Sequence, residues 1–166
     1  MATTKQVFSV AGIVNSDGCF DLQFRKDTRH DRTNSPTYYR WKAQFVVTAQ
    51  KDDAKILEKI RKEIGCGDVC ITKDQARYSV QKISDICEIV VPFFKKNKLA
   101  ENKKKDFELW AKGVEIIQKN KGKFLTAWKK SDLSMLIEIQ KSSAKYKNRP
   151  RKSKWLEMAK TLSRAK

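Results

Sequence analysis

The sequence predicts an α+β fold in the order helix, two strands, helix, two strands, helix, with additional helices towards the C-terminus. Three observations predict it. Four segments alternate apolar and polar residues with a period of two, the pattern of an antiparallel sheet with one face on a core. The segments between them carry apolar side chains at helical spacing. The chain has 166 residues, 40% of them apolar, which is enough for one domain with a real core.

The first helix has Val7, Phe8, Val10, Ala11, Ile13 and Val14 around most of its circumference and ends at Asp17, before a Gly18 turn. So apolar a helix is expected to be buried rather than half solvated. Gly12 and Ser16 lie one turn apart, with Ser9 just before, and small residues on one stripe let a second backbone approach. A strand follows over Cys19–Lys26, with Phe20, Leu22 and Phe24 facing one side and Asp21, Gln23 and Arg25 the other. A polar loop from Asp27 to Thr37 contains His30, Asn34, Ser35 and Pro36. The second strand, Tyr38–Thr48, sets Tyr39, Trp41, Ala43, Phe45 and Val47 against Arg40, Lys42, Gln44 and Val46.

Ile56, Leu57, Ile60 and Ile64 predict a helix over Lys51–Ile64, with Asp52 and Asp53 in the first turn and Gly65 as its stop. The second hairpin is predicted over Asp68–Lys73 and Ala76–Lys82. Val69, Ile71, Tyr78 and Val80 face down, and Asp68, Cys70, Thr72, Arg77, Ser79 and Gln81 face up. The next helix, Ile83–Phe94, directs Ile86, Ile89, Val90 and Phe93 at the core. Phe107–Ile117 and Leu133–Ile139 read as core helices, and Trp155, Leu156, Ala159 and Leu162 suggest an amphipathic helix after Pro150. Trp110, Trp128 and Trp155 are expected in the core rather than stacking on bases.

Charge narrows the function. The 37 basic and 19 acidic residues give a net charge of +18, which points to a polyanionic partner, nucleic acid first and an anionic membrane second. No apolar run approaches the roughly 18 residues needed to span a bilayer, and the N-terminus has no signal-peptide pattern, so a soluble protein is expected. The upper sheet face carries Asp21, Gln23, Arg25, Arg40, Lys42 and Gln44, which can meet base edges as a β-ribbon in the major groove. A solvated sheet face is the alternative, and the net charge favours readout. Lys95–Lys105 holds six Lys to one Glu, and Lys141–Lys166 ten basic residues to one acidic. Both runs either contact phosphates outside the bases that are read or are simply solvated.

The cysteines, Cys19, Cys66, Cys70 and Cys87, form no disulfide framework, and a reducing intracellular compartment follows. Cys66 and Cys70 are spaced like half a metal site, but with His30 as the one histidine, structural zinc is not expected. All four cysteines are expected to be buried small apolar residues.

The stretch Val10-Ala-Gly-Ile-Val-Asn-Ser-Asp-Gly18 resembles the signature of the LAGLIDADG homing endonucleases, a helix ending in that motif and running directly into a strand. Asn15 replaces the family's first Asp, and Asp17-Gly18 matches its closing Asp-Gly. Thr48–Ile60 looks like the family's second-strand exit and following helix, and Lys103–Trp110 like its post-repeat segment. The resemblance covers residues 7 to about 118. It implies a core of about 5–118 with a saddle-shaped antiparallel sheet, and a C-terminal helical extension of about 119–166, in a single domain.

The resemblance further implies a divalent metal on Asp17 and Gly18, Mg²⁺ in function, with Mn²⁺ or Ca²⁺ able to occupy the site. Gln50 is implied at the strand end beside the metal, although the extra Ala49 leaves the register open. A catalytic lysine near the scissile phosphates is matched best by Lys103. Lys98 and Lys104 are alternatives among the DNA contacts, and Glu101 stands where some members carry another Lys. Mg²⁺ keeps several waters and takes one or two carboxylates, so one Asp per site suffices, and Lys acts as a point charge on phosphate.

One motif gives one carboxylate, so the resemblance implies a homodimer packed at Ser9, Gly12, Ile13 and Ser16, with a palindromic or nearly palindromic double-stranded DNA target. It implies cleavage leaving 3′ overhangs, and an intron-encoded protein of an organelle or a prokaryotic cytoplasm. No membrane partner and no small-molecule substrate are implied. An intron-splicing maturase or DNA-binding regulator on the same scaffold, and a basic protein without sequence preference, are the competing functions. Retention of Asp17 favours cleavage.

Overall fold

A computed structural model describes residues 9–28, 37–146 and 159–161. The chain runs α1 (Val10–Asp17), β1 (Gly18–Thr28), β2 (Thr37–Gln50), α2 (Ala54–Ile64), β3 (Asp68–Ile71), β4 (Gln75–Val80), α3 (Ile83–Asp85), α4 (Val91–Lys96), α5 (Glu101–Lys119) and α6 (Lys130–Ala144). The strands form one antiparallel sheet in the order β1-β2-β4-β3. The predicted order of helices and hairpins is therefore the observed one.

Alternation explains the layering. Phe20 pairs with Phe45, Leu22 with Ala43, Phe24 with Trp41, and Phe45 in turn with Val80, so all of them project to one side. These side chains are buried together with Leu57 and Ile60 of α2, Phe94 of α4, and Phe107 and Trp110 of α5. Phe20 is the hub: its ring lies 5.1 Å from Phe45, 5.4 Å from Phe94, 5.3 Å from Phe107 and 5.1 Å from Trp110. Helix α6 packs on α5. Trp110 is in the core as expected and Trp128 is half-buried, while Trp155 lies outside the described residues.

The differences from expectation have local causes. Lys51–Asp53 is a 3₁₀ turn, so α2 begins at Ala54 and Ile56 turns outward, leaving Leu57, Ile60 and Ile64 buried. A π-helical turn at Ile86–Val90 joins α3 to α4. With one more residue in that turn, Ile86, Val90 and Phe94 are the buried set, and Ile89 and Phe93 are half-buried. β3 stops at Ile71 on the sheet edge, where pairing with Ala76 keeps that side chain on the underside but the core does not reach it, leaving it 56% exposed. Of the predicted final helix, Trp155, Leu156 and Leu162 lie outside the described residues, while Ala159 is helical and buried. Among the described residues no helix is long and apolar enough to cross a membrane.

Candidate active site and nucleic-acid face

The α1 end is built by three local devices. Ser9 caps the helix by accepting from the Gly12 amide at 3.2 Å. Val10 and Val14, one turn apart, anchor the helix in the core. Gly18 lets the chain leave as a strand at once, because a Cβ there would stand 2.6 Å from Val14 Cγ1 and 2.8 Å from the Val14 carbonyl. Asp17 is thereby held exposed at the junction, its Oδ2 lying 3.3 Å from Ser16 Oγ. The Ser16 hydroxyl is also 3.1 Å from the Ile13 carbonyl, and its single proton serves one acceptor at a time.

The expectation of a fully buried α1 is corrected. Ser9, Gly12, Asn15, Ser16 and Asp17 are exposed and Ala11 and Ile13 half-buried, since the core reaches only the Val10–Val14 edge. The face with the small-residue stripe is open in the single chain.

Two bonds fasten α5 onto this junction. The Asn15 Oδ1 accepts from the amide of Ala100, the N-cap of α5, at 2.9 Å. One helical turn on, the Lys103 ammonium donates to the Gly18 carbonyl at 2.7 Å. Successive helix residues point about 100° apart, so Lys104 diverges from it, and Lys98 lies before the helix begins. Lys98 and Lys104 line a groove with Cys87, Phe94 and Phe107. Of the three lysines it is Lys103 that sits at Asp17–Gly18. Asn15, Ser16, Asn102, Lys103 and Tyr146 line a polar depression beside it. The tie made by Asn15 was not foreseen, since its partner lies 85 residues away.

The register at Gln50 is regular. Ala49 pairs with Ala76 and packs against the core, and Gln50 pairs with Gln75 and is exposed at the end of β2. It stands three positions beyond Val47, the partner of Gly18.

On the upper face Asp21 pairs with Gln44, Gln23 with Lys42, Arg25 with Arg40, and Cys70 with Arg77. Asp21 Oδ2 accepts from Gln23 Nε2, and from Gln44 Nε2 at 2.8 Å. Arg77 Nη2 is 3.4 Å from Gln44 Oε1. Lys42 Nζ donates to Gln81 Oε1 at 2.7 Å. Gln44, expected at the surface, is only 6% exposed because both neighbouring strands cover it. Arg25 and Arg40 are exposed opposite one another on the upper face. Asp68 and Cys70 are exposed and Ser79 is half-buried. Thr72 and Gln81 lie just past their strands, where Thr72 Oγ1 donates to the Gln75 carbonyl at 3.0 Å in the hairpin turn. Thr48 and Gln75, not singled out from the sequence, share this face by register.

The cysteines also differ from expectation. Cys19 and Cys70 are exposed, because alternation puts both on the polar face, and Cys66 and Cys87 are half-buried. Burial pushes the Cys66 thiol up to about 11, with the Asp85 carboxylate adding to it and the Tyr78 hydrogen bond opposing it. Burial likewise raises Cys87 and the Tyr78 hydroxyl, which donates to the Cys66 carbonyl at 2.6 Å.

The four-stranded sheet thus carries a polar face with exposed arginines, and a carboxylate and an ammonium lie together at its helix junction. The chain belongs to the LAGLIDADG endonuclease family, whose model matches residues 10–114. It is 31% identical over 101 residues to the "Probable intron-encoded DNA endonuclease 1" of Mycosarcoma maydis, a match covering 60% of this chain and 34% of that protein. The chain thus spans about a third of the length of that curated relative. The fold is that of the homing endonuclease I-TnaI (TM-score 0.68, 23% identity, 93% of this chain and 95% of that one). It is also that of I-SmaMI bound to an uncleaved DNA target in the presence of calcium ions (TM-score 0.67, 21% identity, 92% of this chain and 47% of that one).

Proposed function

We propose that this chain is a site-specific double-strand DNA endonuclease acting as a homodimer on a pseudo-palindromic site. The observation that carries the reading is the junction itself: inside the family match, an exposed Asp17 stands beside Lys103, which is bonded to the next residue's carbonyl. The fold fills 95% of the I-TnaI chain but 47% of the I-SmaMI chain, and a fold of that share is consistent with action as a pair. The open α1 face with Ser9, Gly12 and Ser16 supports the same pairing.

The donor set suits a hydrated divalent cation. Asp17 supplies a solvent-facing carboxylate, and Gly18 a carbonyl whose second lone pair is left over from the Lys103 bond. Bound there, Mg²⁺ would supply an activated water and neutralise charge on the attacking and leaving oxygens. The chain's own groups do the rest. Asp17 anchors, Lys103 meets phosphate charge, Asn15 keeps α5 in place, and the sheet face holds the duplex. Products with 3′ overhangs complete the proposal.

The test is linearisation of DNA carrying selected sites, with and without Mg²⁺. Asp17→Asn is expected to lower the cleavage rate by about a thousandfold or more, the scale of several kcal/mol, with duplex binding retained. Sequence-selective binding of DNA or intron RNA without metal-dependent cleavage by the wild type would favour a maturase or regulator instead.

A further inference from the structure

A carboxylate on a face that takes DNA opposes the phosphates, so Asp21 needs a reason to be there. Its geometry provides one. A carboxylate only accepts, so Gln23 and Gln44 must both turn their amide NH₂ groups towards Asp21 Oδ2. A guanidinium only donates, so Gln44 must turn its carbonyl towards Arg77. Flipping either glutamine would set oxygen against oxygen, and for Gln44 also nitrogen against nitrogen. The chain Gln23–Asp21–Gln44–Arg77 crosses β1, β2 and β4 with every polarity fixed from its acidic member.

Resting on the endonuclease reading above, we infer that Asp21 is a positioning residue that sets base preference without touching a base. Gln44, almost wholly covered, is its relay to Arg77. Gln23 then presents its carbonyl and remaining N–H in one fixed order, the pattern that suits adenine, and Arg77 is aimed to donate to guanine. An amide at position 21 both donates and accepts, so it satisfies either orientation of its neighbours and abolishes the choice.

The experiment is selection of cleaved sites from a randomised duplex library by wild type, Asp21→Asn and Gln44→Leu. The readout is relative preference at each base pair, which does not depend on the overall rate. In the wild type a fixed reader is expected to favour one base by about tenfold or more. In Asp21→Asn that preference falls to within about threefold at one or two base pairs per half-site, and other positions keep theirs. Gln44→Leu is expected to flatten the same base pairs. An unchanged Asp21→Asn profile overturns the inference, as does flattening of different pairs by the two variants, which would make Gln44 a direct reader. A wild type that selects no sequence overturns the endonuclease reading and this one with it, whereas a selective wild type with an unaltered Asp21→Asn profile overturns this one alone.

Discussion

The two hairpins of the sheet are built to different standards. The first, β1–β2, is paired continuously from Gly18 opposite Val47 to Thr28 opposite Thr37, and its underside from Phe20 to Val47 is core. The second, β3–β4, is paired only from Asp68 opposite Ser79 to Ile71 opposite Ala76, and β3 faces water along most of its length. The long hairpin carries Asp21, Gln23 and Gln44 and starts at Asp17–Gly18. The short one contributes Arg77, which reaches the others through Gln44. Pairing and core packing are concentrated where the proposed reacting groups and readers sit, and the far edge of the sheet has less of both.

Phe20→Ala is the largest test of that contrast. It removes the ring on which four other aromatics converge and should cost about 3–5 kcal/mol in denaturant unfolding. Ile71→Ala, at the tip of the short hairpin, should stay within about 0.5 kcal/mol. Equal losses would break the comparison.

The entry glycines sharpen it. Gly18 has Val14 Cγ1 at 2.6 Å from where a Cβ would stand. Gly67, with φ at 94°, has Tyr78 Cε2 at 2.7 Å and the Ser79 carbonyl at 2.9 Å. Alanine at either position should cost about 1–3 kcal/mol in the same assay. Only Gly18→Ala should also depress cleavage at temperatures where the protein stays folded, because it displaces Asp17.

The smallest effect is chemical and lies within the short hairpin's surroundings. Cys70, exposed as Cys19 is, should react readily with a thiol reagent. Cys66, raised from 9.0 to about 11, holds about a hundredfold less thiolate near neutral pH than an ordinary cysteine and should lag well behind in mass-spectrometric labelling. The fold keeps that proton where the unfolded chain would lose it. Its contribution to stability is therefore complete below pH 9 and declines as pH rises towards 11.

Much of this was legible in the sequence, and the gaps have physical causes. Alternation located both hairpins and their faces because the period of two depends only on neighbours along a strand. The nonapeptide set Asp17 at the end of α1, directly before the strand, as the structure has it. Periodicity could not reveal the π turn, which shifted burial from Ile89 and Phe93 to Phe94. The start of α5 was hidden too, because its lysine-rich first turn reads as a solvated run, and so Lys103 could not be separated from Lys98 and Lys104 by phase. Gln44 looked like a surface reader because its burial comes from Asp21 and Arg77, which are distant in sequence. Cys19 and Cys70 were assigned to the interior by residue type, where strand parity put them outside.

β1 is an edge strand, ordinarily an open invitation for a stray chain to attach itself by backbone pairing. Here the Leu22 carbonyl accepts from Gln140 Nε2 at 3.1 Å, a donor reaching in from α6. A newcomer strand would have to compete with this bond at the middle of the edge. In the proposed homodimer two copies not joined through β1 would keep separate sheets side by side, able to tilt against each other to follow the curvature of whatever lies beneath them.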